Sequence, residues 1–250
     1  MSRTARSSMA WGGALSFARL VAGLIRVKVV ALALGVGGVG IFSLLQQVNL
    51  TGISIVTMSL AVPIINLGRP RVKDGTPEAA GRVAGTALAL VTLNALILII
   101  AAAIAGGDLF QRIGTGALDP LLLWAIVLSI LFGAVASSFW EGMSFLSDRF
   151  DIYVRAGIAS ALVDVLCVAG GAWLCGLRGA VAAMPAGAIV LFGSYALLLS
   201  RDPIARKVLK NLSFSTRELP RVLGYSVMMF TTVALTNIGL TAVRAKVLLE

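Results

Sequence analysis

The amino-acid sequence predicts an all-α integral membrane protein, and three observations carry that reading. Hydrophobic residues make up 58% of the 250 positions and charged residues 13%, about half the charge that a soluble chain carries. The apolar residues come in runs longer than the ~18 needed to cross a hydrocarbon core about 30 Å thick. The basic residues collect in short segments between those runs, the pattern of loops that face the cytoplasm. The net charge of +10 therefore points to a membrane surface and not to nucleic acid. The chain has no histidine, which excludes His-based catalysis and His-ligated metals. Cys167 and Cys175 share one apolar run with no ligand cluster around them, and read as small buried hydrophobes. No cofactor is expected.

Seven candidate spans cover residues 11–35, 41–67, 83–105, 121–140, 152–176, 180–200 and 222–247. A helix satisfies its own backbone hydrogen bonds where water is absent, so each apolar run is assigned one. Clusters of Gly, Pro and charge mark the connections, from the glycine-rich 35–40 to the basic stretch 201–221. The N-terminus faintly imitates a signal peptide. Arg19 and Arg26 interrupt its apolar core and no small-residue cleavage site follows, so it reads as the first span, retained.

Orientation follows from the cations. Arg3, Arg6, Arg69, Arg71, Lys73, Arg82, Arg149, Arg201, Arg206, Lys207, Lys210, Arg217 and Arg221 fall on one side of this arrangement, and Arg112 and Arg178 on the other. Thirteen against two puts the N-terminus and the long basic loops in the cytoplasm.

The expected organisation is a six-helix transmembrane bundle over residues 1–200, a basic cytoplasmic linker over 201–221, and the first helix of an incomplete second bundle over 222–250. A short internal match supports two related halves. Arg26-Val27-Lys28 in span one corresponds to Arg244-Ala245-Lys246 in span seven at an offset of 218 residues, and Arg19 then falls opposite Asn237. Transporters are commonly built from such repeats, although Leu- and Val-rich helices also match by chance. With a real repeat, the second half would extend for roughly another 200 residues.

The run Gly35-Val36-Gly37-Gly38-Val39-Gly40 fits the G-x-G-x-x-G pattern, but not the context of a dinucleotide site. That site needs a short strand before it and an acid ~20 residues after it. Here a membrane-length run precedes, and residues 53–65 hold no acid. The glycines are expected to form a tight outer turn. Gly81-x-x-x-Gly85 and Gly12-x-x-x-Ser16 allow close helix approach and indicate packing only.

Charges inside spans are the informative residues. Arg19 sits near the bilayer centre, and Arg26, seven residues on, shares its helix face. An isolated Arg at that depth costs ~2.5–3.5 kcal/mol on insertion scales. Two on one face are expected to line an aqueous cavity or contact an anion; the alternative pairs one of them with Asp164. Asp164, the one acid deep within a span, is either a coupling carboxylate or that counter-ion. Lys28 and Arg155 lie close enough to an interface to snorkel. Glu141 and the Asp148/Arg149/Asp151 group are expected in a solvated inner turn. Gln46, Gln47, Asn49, Asn94 and Asn237 either line the cavity or bond helices together.

These residues bring out a resemblance. The stretch from Ile25 to Val72 resembles the first hairpin of the polysaccharide transport family, the O-antigen and lipid-linked oligosaccharide flippases related to multidrug exporters. Its pattern is a basic residue (Lys28), an aliphatic run (Val29 to Leu34), a glycine-rich turn, an aromatic (Phe42), and a second helix bearing Gln46, Gln47 and Asn49. The resemblance implies two six-helix bundles around a central cationic cavity, and alternating access. It further implies a lipid-linked anionic glycan as substrate, with membrane lipids and other polysaccharide-assembly proteins as partners. On that reading Arg19, Arg26 and Arg244 bind substrate, and Asp164 couples transport to an ion. The expected location is the bacterial inner membrane.

Two rivals stand beside this reading. A drug or cation antiporter of the same superfamily conflicts with an excess of intramembrane cations over acids. A membrane-embedded lipid-modifying enzyme would need a cluster of acids or a His at the surface, and the sequence has none. The protein is therefore not expected to be an enzyme.

Overall fold

The computed structural model describes residues 3–112 and 120–231. The helices are α1 (Arg3–Thr57), α2 (Ala61–Pro63), α3 (Arg69–Lys73), α4 (Pro77–Arg112), α5 (Pro120–Val135), α6 (Glu141–Leu146), α7 (Phe150–Ala182), α8 (Met184–Leu199) and α9 (Pro203–Lys210). Two π-helical turns, Ile64–Gly68 and Ala136–Trp140, join α2 to α3 and α5 to α6. Residues 219–231 are also helical, and no strand occurs among the described residues.

Four stretches are long and apolar enough to cross a membrane: Trp11–Thr57, Pro77–Ile104, Pro120–Leu146 and Phe150–Ala182. A fifth joins them if Met184–Leu199 and Pro203–Lys210, bent 99° apart, count as one broken span. The chain is thus an all-α protein of membrane character. The sequence reading counted seven spans, and the difference lies in how the helices turn.

Trp11–Thr57 is 47 residues long, more than twice the ~20 that a bilayer needs. Gly35 divides it, with φ 67° and ψ −177°, a backbone region essentially reserved for glycine. Arg26 and Gln46 lie on opposite sides of Gly35 and yet line the same cavity; a straight helix would hold them about 30 Å apart. The helix therefore folds back on itself at Gly35. Gly176 does the same to α7, with φ 62° and ψ −145°. There the two arms touch through their backbones at Gly171 and Gly179, where a Cβ on either would strike the other's carbonyl. A Cβ on Gly176 would meet Leu34 at 4.0 Å, so both turns sit at the same end of the molecule.

The opposite end carries the cations. Arg69 pairs with Asp148, Arg71 with Glu218 at 2.9 Å, and Arg149 with Asp151 and Asp202 at 3.0 Å each. Those hydrogen bonds, Asp151's foremost, hold the Arg149 guanidinium charged beyond its ordinary range. Asp202 also caps α9, accepting from the amides of Ile204 and Ala205 at 3.0 and 2.9 Å. Between the two ends lies a close-packed interior of residues such as Val30, Leu45, Ile126, Ile152 and Tyr195. The outside is apolar, with Phe17, Leu32, Leu166 and Trp173 each about 70% exposed, as a lipid-facing surface requires.

Several expected connections change. The span expected over 41–67 breaks at Met58 and Ser59, both with positive φ, and resumes through a π-helix to Lys73. Of the glycine-rich 35–40, only Gly35 leaves the helix. The expected solvated turn over 141–150 is shorter, because α6 carries Glu141 within a continuous helical stretch. Asp148, at φ 57°, and the Arg149 ion pairs do form a turn. Cys167 is half-buried and Cys175 exposed, so neither is buried as expected. Gly81 and Gly85 pack against the backbone of Asn211 and Ser213, not against another helix. Most of the expected 222–250 helix, with Asn237 and Arg244, lies outside the described residues.

Candidate functional site

The helical hairpins leave a cavity of about 350 Å³ between them. Each wall presents residues spaced three or four apart, which places them on one helix face. The arms of α1 contribute Arg19 and Arg26, then Phe42, Gln46, Asn49 and Ile53. Helix α5 and its π-turn contribute Ser129, Gly133 and Ser137; α7 contributes Gly157, Ser160 and Asp164; and α8 contributes Met184, Gly187 and Leu191. Glycines make the close approaches. A Cβ on Gly187 would meet that of Asp164 at 2.8 Å, and one on Gly157 would meet Leu15 at 2.8 Å and Arg19 at 3.3 Å.

The structure brings together three of the four residues singled out from the sequence. Arg19 and Arg26 share the face expected of them, and Asp164 closes on them from α7. Arg26 Nη1 donates to Asp164 Oδ2 at 2.6 Å, with the two side chains 20% and 27% exposed. That is the counter-ion geometry. Of the two cavity cations, it leaves Arg19 as the one without a carboxylate in hydrogen-bond contact among the described residues. Its guanidinium stands 5.8 Å from the ring centre of Tyr153, and it interacts electrostatically with Glu141 and Tyr195. The fourth residue, Arg244, lies outside the described residues.

Two residues that line this cavity each carry a buried polar atom without a hydrogen-bond partner, Arg26 Nε and Asn49 Oδ1. One donates and the other accepts. Orphaned buried polar atoms are rare and ask for a ligand or water to complete them. The serines differ: Ser137 donates to Gly133 O at 2.7 Å and Ser160 to Gly187 O at 2.8 Å, so their donors are already used. Asn94 donates to Val56 O at 3.1 Å and binds two helices together. Lys28 and Arg155 are exposed, as snorkelling requires.

Glu141 is the residue that sequence reasoning misplaced, since it was assigned to a solvated turn. The serines and glycines of the walls were not singled out either. Their signal was present as small or polar residues at 129, 133 and 137 and at 157, 160 and 164, helical stripes inside apolar runs. Among the described residues no group of acids, cysteines or histidines is placed to hold a metal.

Comparison with known proteins gives no match: no family model, curated protein or solved structure is significantly similar to the chain.

Proposed function

We propose that this chain transports lipid-linked oligosaccharide or polysaccharide precursors across the bacterial inner membrane by alternating access. The observation that carries the proposal is the convergence of two arginines with orphaned hydrogen-bonding atoms in one cavity between apolar helices. A phosphate-bearing headgroup suits those groups. Arg19 offers guanidinium donors that no carboxylate holds by a hydrogen bond, Arg26 an unused Nε donor, and Asn49 an acceptor for a sugar hydroxyl. The exposed apolar outer surface would let a lipid tail remain in the bilayer while the headgroup enters. In this reading the chain has seven spans, turns at Gly35 and Gly176 on the outer side, and keeps its N-terminus in the cytoplasm. Arg244 is in this reading a further substrate-binding cation. Asp164 holds Arg26 in position through their ion pair, and its release from that arginine is the coupling step. A cation antiporter suits the cavity less well, because its two guanidiniums outnumber the single carboxylate among its lining residues.

The test is polymer export from cells whose chromosomal gene carries Arg19→Ala, Arg26→Ala or Arg19→Lys, with membrane abundance measured by immunoblot. Losing a charge-assisted hydrogen bond costs about 1.5–3 kcal/mol. Export is therefore expected to fall about 10- to 100-fold in either alanine variant at unchanged abundance. The lysine variant should keep part of the activity, because the point charge survives and the planar fork does not. Normal export from the double alanine variant would remove the cavity from the transport path.

A further inference from the structure

A second groove, of about 550 Å³, lies on the outside of the bundle where the chain leaving α9 crosses α4. It is a built feature. Gly81 and Gly85 carry no Cβ, so the backbone of Asn211 and Ser213 lies directly on the helix. The amide of Ser215 donates to Thr86 Oγ1 at 3.1 Å, and the Arg71–Glu218 ion pair at 2.9 Å fixes the far end of the crossing segment. The groove beyond this crossing is apolar, with Leu88, Leu93, Leu96 and Phe214 in its wall. Leu93 and Leu96 are each 52% exposed and Phe214 56%.

Its dimensions and charge identify an occupant. From Gly85 to Leu96 the helix rises about 16 Å at ~1.5 Å per residue, close to half of a ~30 Å hydrocarbon core and so the depth of one leaflet. At the basic end stands Arg82, which precedes Gly85 by three residues and Ala89 by seven and thus shares their face. Lys210 adjoins Asn211, whose backbone covers Gly81. Both cations are exposed, and neither has an ion-pair partner among the described residues. The nearby acids are committed elsewhere: Asp202 caps α9 and binds Arg149, and Glu218 binds Arg71. Glu78, also exposed, lies on the same face one helical turn before Arg82, and so one turn further from Gly85 than Arg82 is. Helix α9 leaves α8 at 99°, carrying Arg206 and Lys207, also exposed, across the same end.

We infer that this groove binds an anionic phospholipid of the leaflet on the basic side. One acyl chain lies along Leu88, Leu93, Leu96 and Phe214, and the phosphate is held by Arg82 and Lys210. The inference rests on the chain being embedded in a bilayer and not on what it transports. A lipid seated there touches both α4 and the crossing segment, and so ties the basic stretch after α8 to the bundle.

The experiment places the full chain in nanodiscs of phosphatidylcholine doped with phosphatidylglycerol or with further phosphatidylcholine, the dopant carrying brominated acyl chains. Phe214→Trp supplies a local fluorophore, read as quenching beyond that of the wild-type tryptophans. Half-maximal quenching should need about 30-fold less phosphatidylglycerol than phosphatidylcholine, as expected for two basic contacts. Adding Arg82→Gln and Lys210→Gln should abolish that preference, and Ala89→Phe should reduce quenching by both lipids. Equal quenching by the two lipids, or a preference that survives both Gln substitutions, overturns the inference. Absence of quenching by either means that protein covers the groove, which overturns it as well. If Phe214→Trp disturbs the fold, native mass spectrometry decides: the wild type should retain phosphatidylglycerol that the Arg82→Gln/Lys210→Gln variant loses, and equal retention refutes the site.

Discussion

Arg26 and Asp164 are 138 residues apart in sequence and meet at the cavity wall between the α1 and α7 hairpins. Removing one partner leaves the other charged in a poorly solvated place, which costs about 3–5 kcal/mol for a fully buried pair. With 20% and 27% of the side chains exposed, about 1–3 kcal/mol is the better expectation here. Arg26→Met and Asp164→Leu should each lower the apparent melting temperature in detergent. The double replacement should recover most of the loss, because an apolar pair carries no desolvation penalty. If the double variant melts where the sum of the single losses puts it, the two residues are not coupled. Transport should stay lost in all three: two of them lack the Arg26 charge, and Asp164→Leu lacks the proposed coupling carboxylate. The pair was legible in the sequence because charge within an apolar run is costly and therefore rare, so Arg19, Arg26 and Asp164 stood out individually. Which arginine would take the carboxylate was not legible, because that depends on how two hairpins register against each other. Glu141 was misplaced for a related reason. The π-turn Ala136–Trp140 continues the helix to Leu146, and neither apolar periodicity nor a charge count signals such a continuation.

The hairpins themselves depend on single glycines. Gly35 has positive φ and nothing within 4 Å of where a Cβ would stand, so substitution there meets backbone strain alone. Gly35→Ala is expected to cost about 1–3 kcal/mol, and Gly176→Ala, with its nearest neighbour at 4.0 Å, a similar amount. Thermal melts of the two variants check this, and an unchanged midpoint for both would mean that the turns do not need glycine. Gly85 makes a different demand. Its φ is not in the left-handed region, but a Cβ would stand 2.6 Å from both the N and O of Ser213. Gly85→Val should lift the crossing segment off α4 and open Arg217 to trypsin, read as a several-fold faster cut between α9 and residue 219. Cutting at the wild-type rate would show that the segment already moves freely. The sequence marked all three regions as connections or packing sites, since glycine clusters break apolar runs. It did not show that Gly35 alone leaves the helix within 35–40, or that Gly81 and Gly85 receive a loop. Both outcomes depend on partners distant along the chain.

At the scale of the whole molecule, the ion-paired loop cations and the glycine turns lie at opposite ends. Gly35 and Gly176 come together through Leu34. Arg69, Arg71 and Arg149 meet their acids at the other end, through contacts that join α3, the turn after α6, the start of α9 and the crossing segment. From Phe150 to Gly176 the helix climbs about 39 Å at ~1.5 Å per residue, enough to cross the hydrocarbon core and reach both headgroup layers. For Arg69, Arg71 and Arg149, the common side inferred from counting Lys and Arg reappears as one end of the molecule, built from contacts that the count did not use. Cations in short loops resist translocation, so the basic end should face the cytoplasm. Phosphatase and fluorescent-protein reporters fused after Lys73 and after Lys210 are therefore expected to be phosphatase-inactive and fluorescent. Fusions after Arg112 and after Gly176 should give the reverse. A further fusion, after Ser200, is the discriminating one. If α7 were a single straight span of 33 residues crossing only once, residues after Gly176 would stay on the outer side, and a fusion after Ser200 would report that side too. With a true reversal at Gly176, the Ser200 fusion must report the cytoplasm. A phosphatase-active Ser200 fusion, in a protein that inserts normally, would overturn both the hairpin and the assignment of the basic end.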